Sequence, residues 1–254
     1  MGVLNSGQMK RALLLVCFLA GCTTTAPQGE KPISALWILP EATWRASTQG
    51  GVRLQDGDKK LIATLSARRA STLVAVWQKL KATSGVDADL GIARTSRPNA
   101  FAAFIQGRPT VILGLSFVDV INDDPDALAA TIGHELAHLH FRHGEATKSR
   151  NETAKGASQF LGILLSAAGV PFGGNIANLG VSAIATSYSR DQEREADIQG
   201  LDWALAAGYD ACGSARTMKA LQSAGNGGGF EFLSSHPGHE ERIDRASKKA
   251  GKAC

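Results

Sequence analysis

The chain has 254 residues, 44% of them hydrophobic and 20% charged, with a formal net charge of +4 at pH 7. The composition is ordinarily globular, and the length suffices for one domain with a real core. Without Lys10 and Arg11 of the leader, 25 basic residues face 23 acidic ones, a net charge of +2. That balance carries no nucleic-acid footprint.

Residues 1–21 read as a lipoprotein signal peptide. Lys10 and Arg11 form a basic start, and the apolar run Ala12 to Ala20 is too short for a stable membrane anchor. Leu19-Ala20-Gly21-Cys22 then has the order of a bacterial lipobox, at which cleavage before Cys22 leaves its thiol to carry a diacylglycerol. An ordinary secretory signal that happens to contain a cysteine is the alternative. Thr23 follows, not Asp, which points to the periplasmic side of the outer membrane. Residues 22–35, polar and with two prolines, read as a lipid-anchored tether, and 36–254 as the folded domain. Cys212 and Cys254 remain; in an oxidising periplasm they could pair and pin the C-terminus near Gly208, or stay as two free thiols.

Leu65 to Ala82 has helical periodicity, with Leu73, Val76, Trp77 and Leu80 on one side. Leu90 to Ala93 and Thr110 to Leu113 are strand-like, and Gly107-Arg108-Pro109 suits a hairpin turn before the second. Between them, the strand around Asn99, Ala100, Phe101 and on to Phe104 could bind an extended peptide through backbone hydrogen bonds. The plainer reading is a core strand whose Phe101 and Phe104 pack.

His134-Glu135-Leu136-Ala137-His138 is an H-E-x-x-H motif on an expected helix. Asp124 is its N-cap, Pro125 its first residue, Asp126 adds negative charge to the first turn, and Gly144 marks the stop. Residues four apart share a helix face, so His134 and His138 can aim at one metal ion while Glu135 reaches an attacking water. A polar helix face would use the same residue types. The flanking Leu136, Ala137, Leu139 and Phe141 are apolar, however, and two buried histidines beside a carboxylate are costly without a partner.

Beyond Gly144, 151–165 could continue as helix, and 166–180 is apolar but broken by Pro171 and by Gly169, Gly173 and Gly174. It reads as a loop packed on the core, with a mobile cover near the site as the alternative. A catalytic zinc needs a third protein ligand. His140 and His143 lie off the ligand face of a continuous helix. Glu193 and Asp197, four apart in Ser189-Arg190-Asp191-Gln192-Glu193-Arg194-Glu195-Ala196-Asp197, are the better pair. Glu193 can bind the metal, and Asp197 can accept the far N–H of a ligating histidine. A solvated charged helix face is the competing reading.

H-E-x-x-H followed by Ser-Arg-x-x-Glu-x-x-Ala-Asp resembles the gluzincin zinc metallopeptidases of the HtpX-like and CAAX-prenyl-protease family. Asn99-Ala100-Phe101 resembles that family's N-A-F segment. Ser235-His236-Pro237 with Arg242-Ile243 resembles its late H-P-x-x-x-x-R-I segment. With the lipobox, the chain resembles the periplasmic lipoprotein branch, the BepA-like and LoiP-like members. It lacks the transmembrane helices of the integral-membrane members, and it ends at Cys254, so no tetratricopeptide-repeat domain is expected.

The resemblance implies an α+β, mostly helical zincin-like domain with a small sheet. It implies one Zn2+ per chain, held by His134, His138 and Glu193, with Glu135 as general base. His236 or Arg242 could assist the oxyanion, or His236 could sit over the zinc in a resting form. The glycine-rich stretch Ser223 to Phe230 is either a hinge for His236 or a surface loop. Expected substrates are unfolded or misassembled envelope proteins, no nucleic acid is expected as a partner, and the sequence does not state the oligomeric form. The rival is a non-catalytic or latent zinc-containing periplasmic chaperone or assembly lipoprotein.

Overall fold

The computed structural model describes residues 36–38, 51–55, 61–95, 98–105, 107–144, 181–182, 188–224, 236 and 239–254. Three short strands come first: β1 (Leu36–Ile38), β2 (Val52–Gln55) and β3 (Leu61–Leu65). β2 and β3 pair antiparallel as a two-stranded ribbon. The Ser66 hydroxyl then accepts the Arg69 N–H at 3.2 Å and starts α1 (Ala67–Ser84), which Gly85 ends in a left-handed conformation. Leu73, Val76, Trp77 and Leu80 are its buried face, as their spacing requires.

β4 (Asp89–Ala93), β5 (Ala100–Ile105) and β6 (Arg108–Gly114) follow. β5 and β6 form the hairpin expected around Gly107, whose φ of 79° lies in the region glycine favours. β4 runs parallel to β6, and with β7 (Val181–Ser182) the sheet order is β1-β4-β6-β5-β7. β7 pairs with β5 at Phe104 and Ile105, so among the described residues the Ala100 to Ala103 half of β5 has β6 as its one strand partner.

After α2 (Leu115–Ile121), Asp124 starts α3 (Pro125–His140). Its carboxylate accepts the N–H groups of Asp126 and Ala127 at 3.0 and 3.1 Å and pairs with Arg216. Every residue from Ala127 to Leu139 is buried, so this helix runs through the core rather than along its surface. It packs on α1, on β5, on α4 (Arg190–Ala206) and on α5 (Cys212–Ala224). α6 (His239–Ala250) packs on α5. The fold is thus α+β and mostly helical, and no helix among the described residues is long and apolar enough to cross a membrane.

One boundary differs from the expectation. α3 ends at His140, not at Gly144: Phe141 caps it, the Arg142 N–H bonds the Leu139 carbonyl in a tightened last turn, and Arg142 takes a φ of 55°. The reversal falls on a non-glycine residue, which residue type does not signal. The leader, the tether with Cys22, the stretches 151–165 and 166–180, and 225–230 of the glycine-rich segment lie outside the described residues.

Cys212 and Cys254 form a disulfide across a sequence separation of 42. It fastens the end of the chain, just beyond α6, to the start of α5. A Cys212→Ser, Cys254→Ser double variant is expected to lose about 4 kcal/mol of stability by the loop-entropy relation, read as a lower denaturant midpoint. An unchanged midpoint would mean that packing of α6 on α5 alone holds this end.

Candidate metal centre

Two helices supply most of the site. On α3 the four-residue spacing sets His134 and His138 one turn apart, with their Nε2 atoms 3.0 Å from each other. α4 begins with a capping box in which the Ser189 hydroxyl accepts the Gln192 N–H and the Gln192 side chain accepts the Ser189 N–H. That start places Glu193 in the first turn, facing the histidines: Oε1 is 3.3 Å from His138 Nε2, and Oε2 is 3.4 Å from His134 Nε2. Asp197, one turn on, has Oδ1 3.0 Å from His134 Nδ1.

The helices can come this close because glycine meets glycine. A Cβ on Gly133 would lie 2.6 Å from the Gly200 carbonyl oxygen, and one on Gly200 would lie 2.6 Å from the His134 nitrogen. Neither glycine stood out in the sequence, because helix interiors usually disfavour glycine and nothing local tells which ones are contacts.

His236 completes the cluster. Its Nδ1 is 3.1 Å from His134 Nε2 and 3.0 Å from Glu193 Oε1, and its Nε2 is 3.6 Å from Glu135 Oε1. Its ring thus lies among the donor atoms and beside Glu135. His134, Glu135, His138, Glu193 and His236 are each 2% exposed or less.

These atoms pass a test for a metal. His134, His138, Glu193 and His236 each present one ligand atom, all within 4.8 Å of one another. The closest separations between donor atoms, 3.0 to 3.4 Å, are of the size expected between ligands of one ion bound at about 2.0–2.1 Å. Three ring nitrogens converging in a buried pocket need a cation or protons between them. Among the described residues, neither carboxylate oxygen of the buried Glu135 has a hydrogen-bond partner. Nitrogen-rich donors with one carboxylate suit a transition metal rather than magnesium or calcium.

Electrostatics agree with a demand for positive charge. Burial and Arg242 oppose protonation of His134, yet Glu193 and Asp197 outweigh them and raise it to about 9. Burial keeps His138 well below the usual histidine range. Burial likewise opposes ionisation of Glu193, but His236 and His134 prevail and hold its carboxyl well below the usual carboxylate range. Glu135 is pushed up, chiefly by desolvation, with His236 and His134 acting against it.

Arg242 is buried and directs Nε to Asp197 Oδ1 at 2.9 Å, with Nη1 3.9 Å from Glu193 Oε2. These contacts brace the carboxylate behind His134. Arg245, which the sequence did not single out, holds the other oxygen, Oδ2, at 2.7 Å. Asn99, Ala100 and Phe101 are buried at the start of β5, where the Asn99 carbonyl accepts the Gly114 N–H and the Asn99 side chain accepts the Ala100 N–H.

Two further residues were missed. Tyr188 stacks on His138, with centroids 3.7 Å apart and planes 15° from parallel. His143, set aside as lying off the helix face, is buried with Nδ1 2.9 Å from His138 Nδ1. The early end of α3 is what brings it there.

A family model described as peptidase family M48 matches residues 67–250. Metalloprotease YcaL of Escherichia coli (strain K12) is 25% identical over 197 residues, covering 77% of this chain and 75% of that protein.

Proposed function

The chain belongs to peptidase family M48 and is a metalloprotease, and from that premise we propose a zinc-dependent endopeptidase acting on unfolded or misassembled cell-envelope proteins. In this reading His134, His138 and Glu193 hold one zinc ion and Glu135 is the general base. One observation carries it: four buried donor atoms converge beside a buried carboxylate whose oxygens have no hydrogen-bond partner.

When bound, the ion supplies Lewis acidity toward a scissile carbonyl and an attacking water. Glu135 takes a proton from that water onto a carboxylate oxygen and later delivers it to the leaving amine. Its desolvated carboxylate is a stronger base than one in water, which favours the first transfer. Asp197 keeps the proton of His134 on Nδ1, so that Nε2 offers its lone pair to the ion, and Arg242 and Arg245 hold Asp197 in place. The half of β5 from Ala100 to Ala103 supports a role in aligning an extended peptide by backbone hydrogen bonds, which would tolerate many sequences. Lipid on Cys22 would hold the domain at the periplasmic side of the outer membrane. The lipobox order supports that placement, and a disulfide suits an oxidising compartment.

The place of His236, among the donor atoms and beside Glu135, supports a latent resting form. Cleavage of unfolded casein by the chain without its lipid anchor tests both points. Cleavage is expected to stop on chelation and return with one equivalent of zinc, and His236→Ala is expected to cleave faster. A slower His236→Ala would give that residue a catalytic role instead. If zinc-loaded protein never cuts, with or without His236, and only suppresses aggregation, the chaperone reading replaces this one.

A further inference from the structure

Each ligating histidine needs something behind it, and the two are supported differently. His134 has Asp197, itself held by two arginines. At the Nδ1 of His138, among the described residues, the facing atom is not a carboxylate oxygen but Nδ1 of His143, at 2.9 Å. We propose that His143 is a positioning residue of the metal centre. It accepts the Nδ1–H of His138 and so locks His138 in the tautomer whose Nε2 lone pair faces the donor cluster.

The direction of this hydrogen bond follows from the next link. His143 Nε2 lies 3.1 Å from Glu195 Oε2. A carboxylate only accepts, so the proton of a neutral His143 sits on Nε2 and its Nδ1 carries a lone pair. One proton then fits between the two Nδ1 atoms, and it belongs to His138. The reverse order would put a proton on His138 Nε2, which points at His134 Nε2 and Glu193 Oε1 and would bar a metal. The proposal therefore rests on the metal-binding reading of His138.

The backbone builds the contact. On a continuous helix, five residues rotate a side chain by about 140° from the starting face, which is why the spacing alone argues against His143. The left-handed turn at Arg142 replaces that geometry and brings His143 back beside His138. Gln192 Nε2 donates to the His143 carbonyl at 3.4 Å, which holds its backbone, and the Phe141 ring stacks on the imidazole. α4 thus serves both histidines: Asp197 supports one directly, and Glu195 supports the other through His143. Glu195 is 53% exposed, so this second support ends at the solvent, unlike the buried Asp197.

The test compares three variants by chelator competition for zinc in the otherwise intact chain. His143→Asn keeps an acceptor near the Nδ1 position, His143→Leu keeps bulk but no acceptor, and His138→Ala is the control for the site itself. His143→Leu is expected to bind zinc about 10–100-fold more weakly, and His143→Asn to stay within about threefold of the parent. Parent-like affinity in His143→Leu, or an equal loss in His143→Asn, overturns the proposal. Ring-nitrogen NMR of the unmutated zinc-loaded protein gives a second reading that needs no variant to fold. Protons on His138 Nδ1 and His143 Nε2 are expected, and a proton on His143 Nδ1 overturns the assignment. A parent that binds no zinc, or a His138→Ala that binds as the parent does, would remove the metal-site reading and this proposal with it.

Discussion

Glu135→Gln is expected to slow casein cleavage about 10²–10⁴-fold while leaving bound zinc unchanged. The substitution is nearly isosteric, and Glu135 makes no hydrogen bond that an amide would break. It is also not among the four residues that converge as possible ligands, so metal content has no reason to fall. What is lost is the ability to take a proton. At about 1.4 kcal/mol per tenfold, the loss corresponds to about 3–5 kcal/mol of transition-state stabilisation. Parallel elemental analysis and rate measurement check both halves. A variant that keeps more than a tenth of the rate would remove Glu135 as the base, and one that loses its zinc would make Glu135 part of the binding set.

The second large effect is expected at a residue that has no side chain of its own. In an exposed helix, Gly→Ala stabilises by about 1 kcal/mol. Gly200→Ala should do the opposite, because its Cβ would fall 2.6 Å from the His134 nitrogen, 2.7 Å from the Gly133 carbonyl carbon and 2.8 Å from the His134 Cα. All three are backbone atoms of α3, which cannot swing aside as a flexible side chain would. α4 has to move away, and it carries Glu193 and Asp197 with it. Overpacking of this kind costs about 1–3 kcal/mol or more, which exceeds the gain in propensity. The expected result is a lower Tm together with at least about tenfold weaker zinc binding, since ligand geometry is lost in the same displacement. Gly133→Ala, which would meet the Gly200 carbonyl, should behave alike. A Gly200→Ala protein with parental Tm and zinc affinity would show that the helices can separate without cost.

Much of the site was legible locally. Asp124 was readable as a helix start because a cap is satisfied within three residues of its own side chain. The pairs His134 with His138 and Glu193 with Asp197 were readable because four-residue spacing defines a helix face wherever the helix goes. The face of α1 was readable for the same reason, and the β5–β6 hairpin from the turn residues at Gly107 to Pro109. The short strands β1, β2 and β3 were not, since three to five residues carry too little pattern to separate a strand from a loop. The parallel pairing of β4 with β6 skips over β5 and has no local signature.

The sequence by itself thus determined which chemistry the chain carries. Two histidines and a carboxylate on one helix, and two more carboxylates on another, are a statement about spacing along single helices. Tertiary structure alone decided which side chains stand behind that chemistry and how near the helices come. Arg245 reaches Asp197 across 48 positions, His236 reaches His134 across 102, and Gly133 touches Gly200. His143 needed less distance but a left-handed Arg142, a conformation enforced by the surrounding packing rather than by arginine itself. The physical reason is common to all four. Helical periodicity is a local property, repeated every turn, whereas close approach depends on the balance of every contact between two elements and is written at no single position.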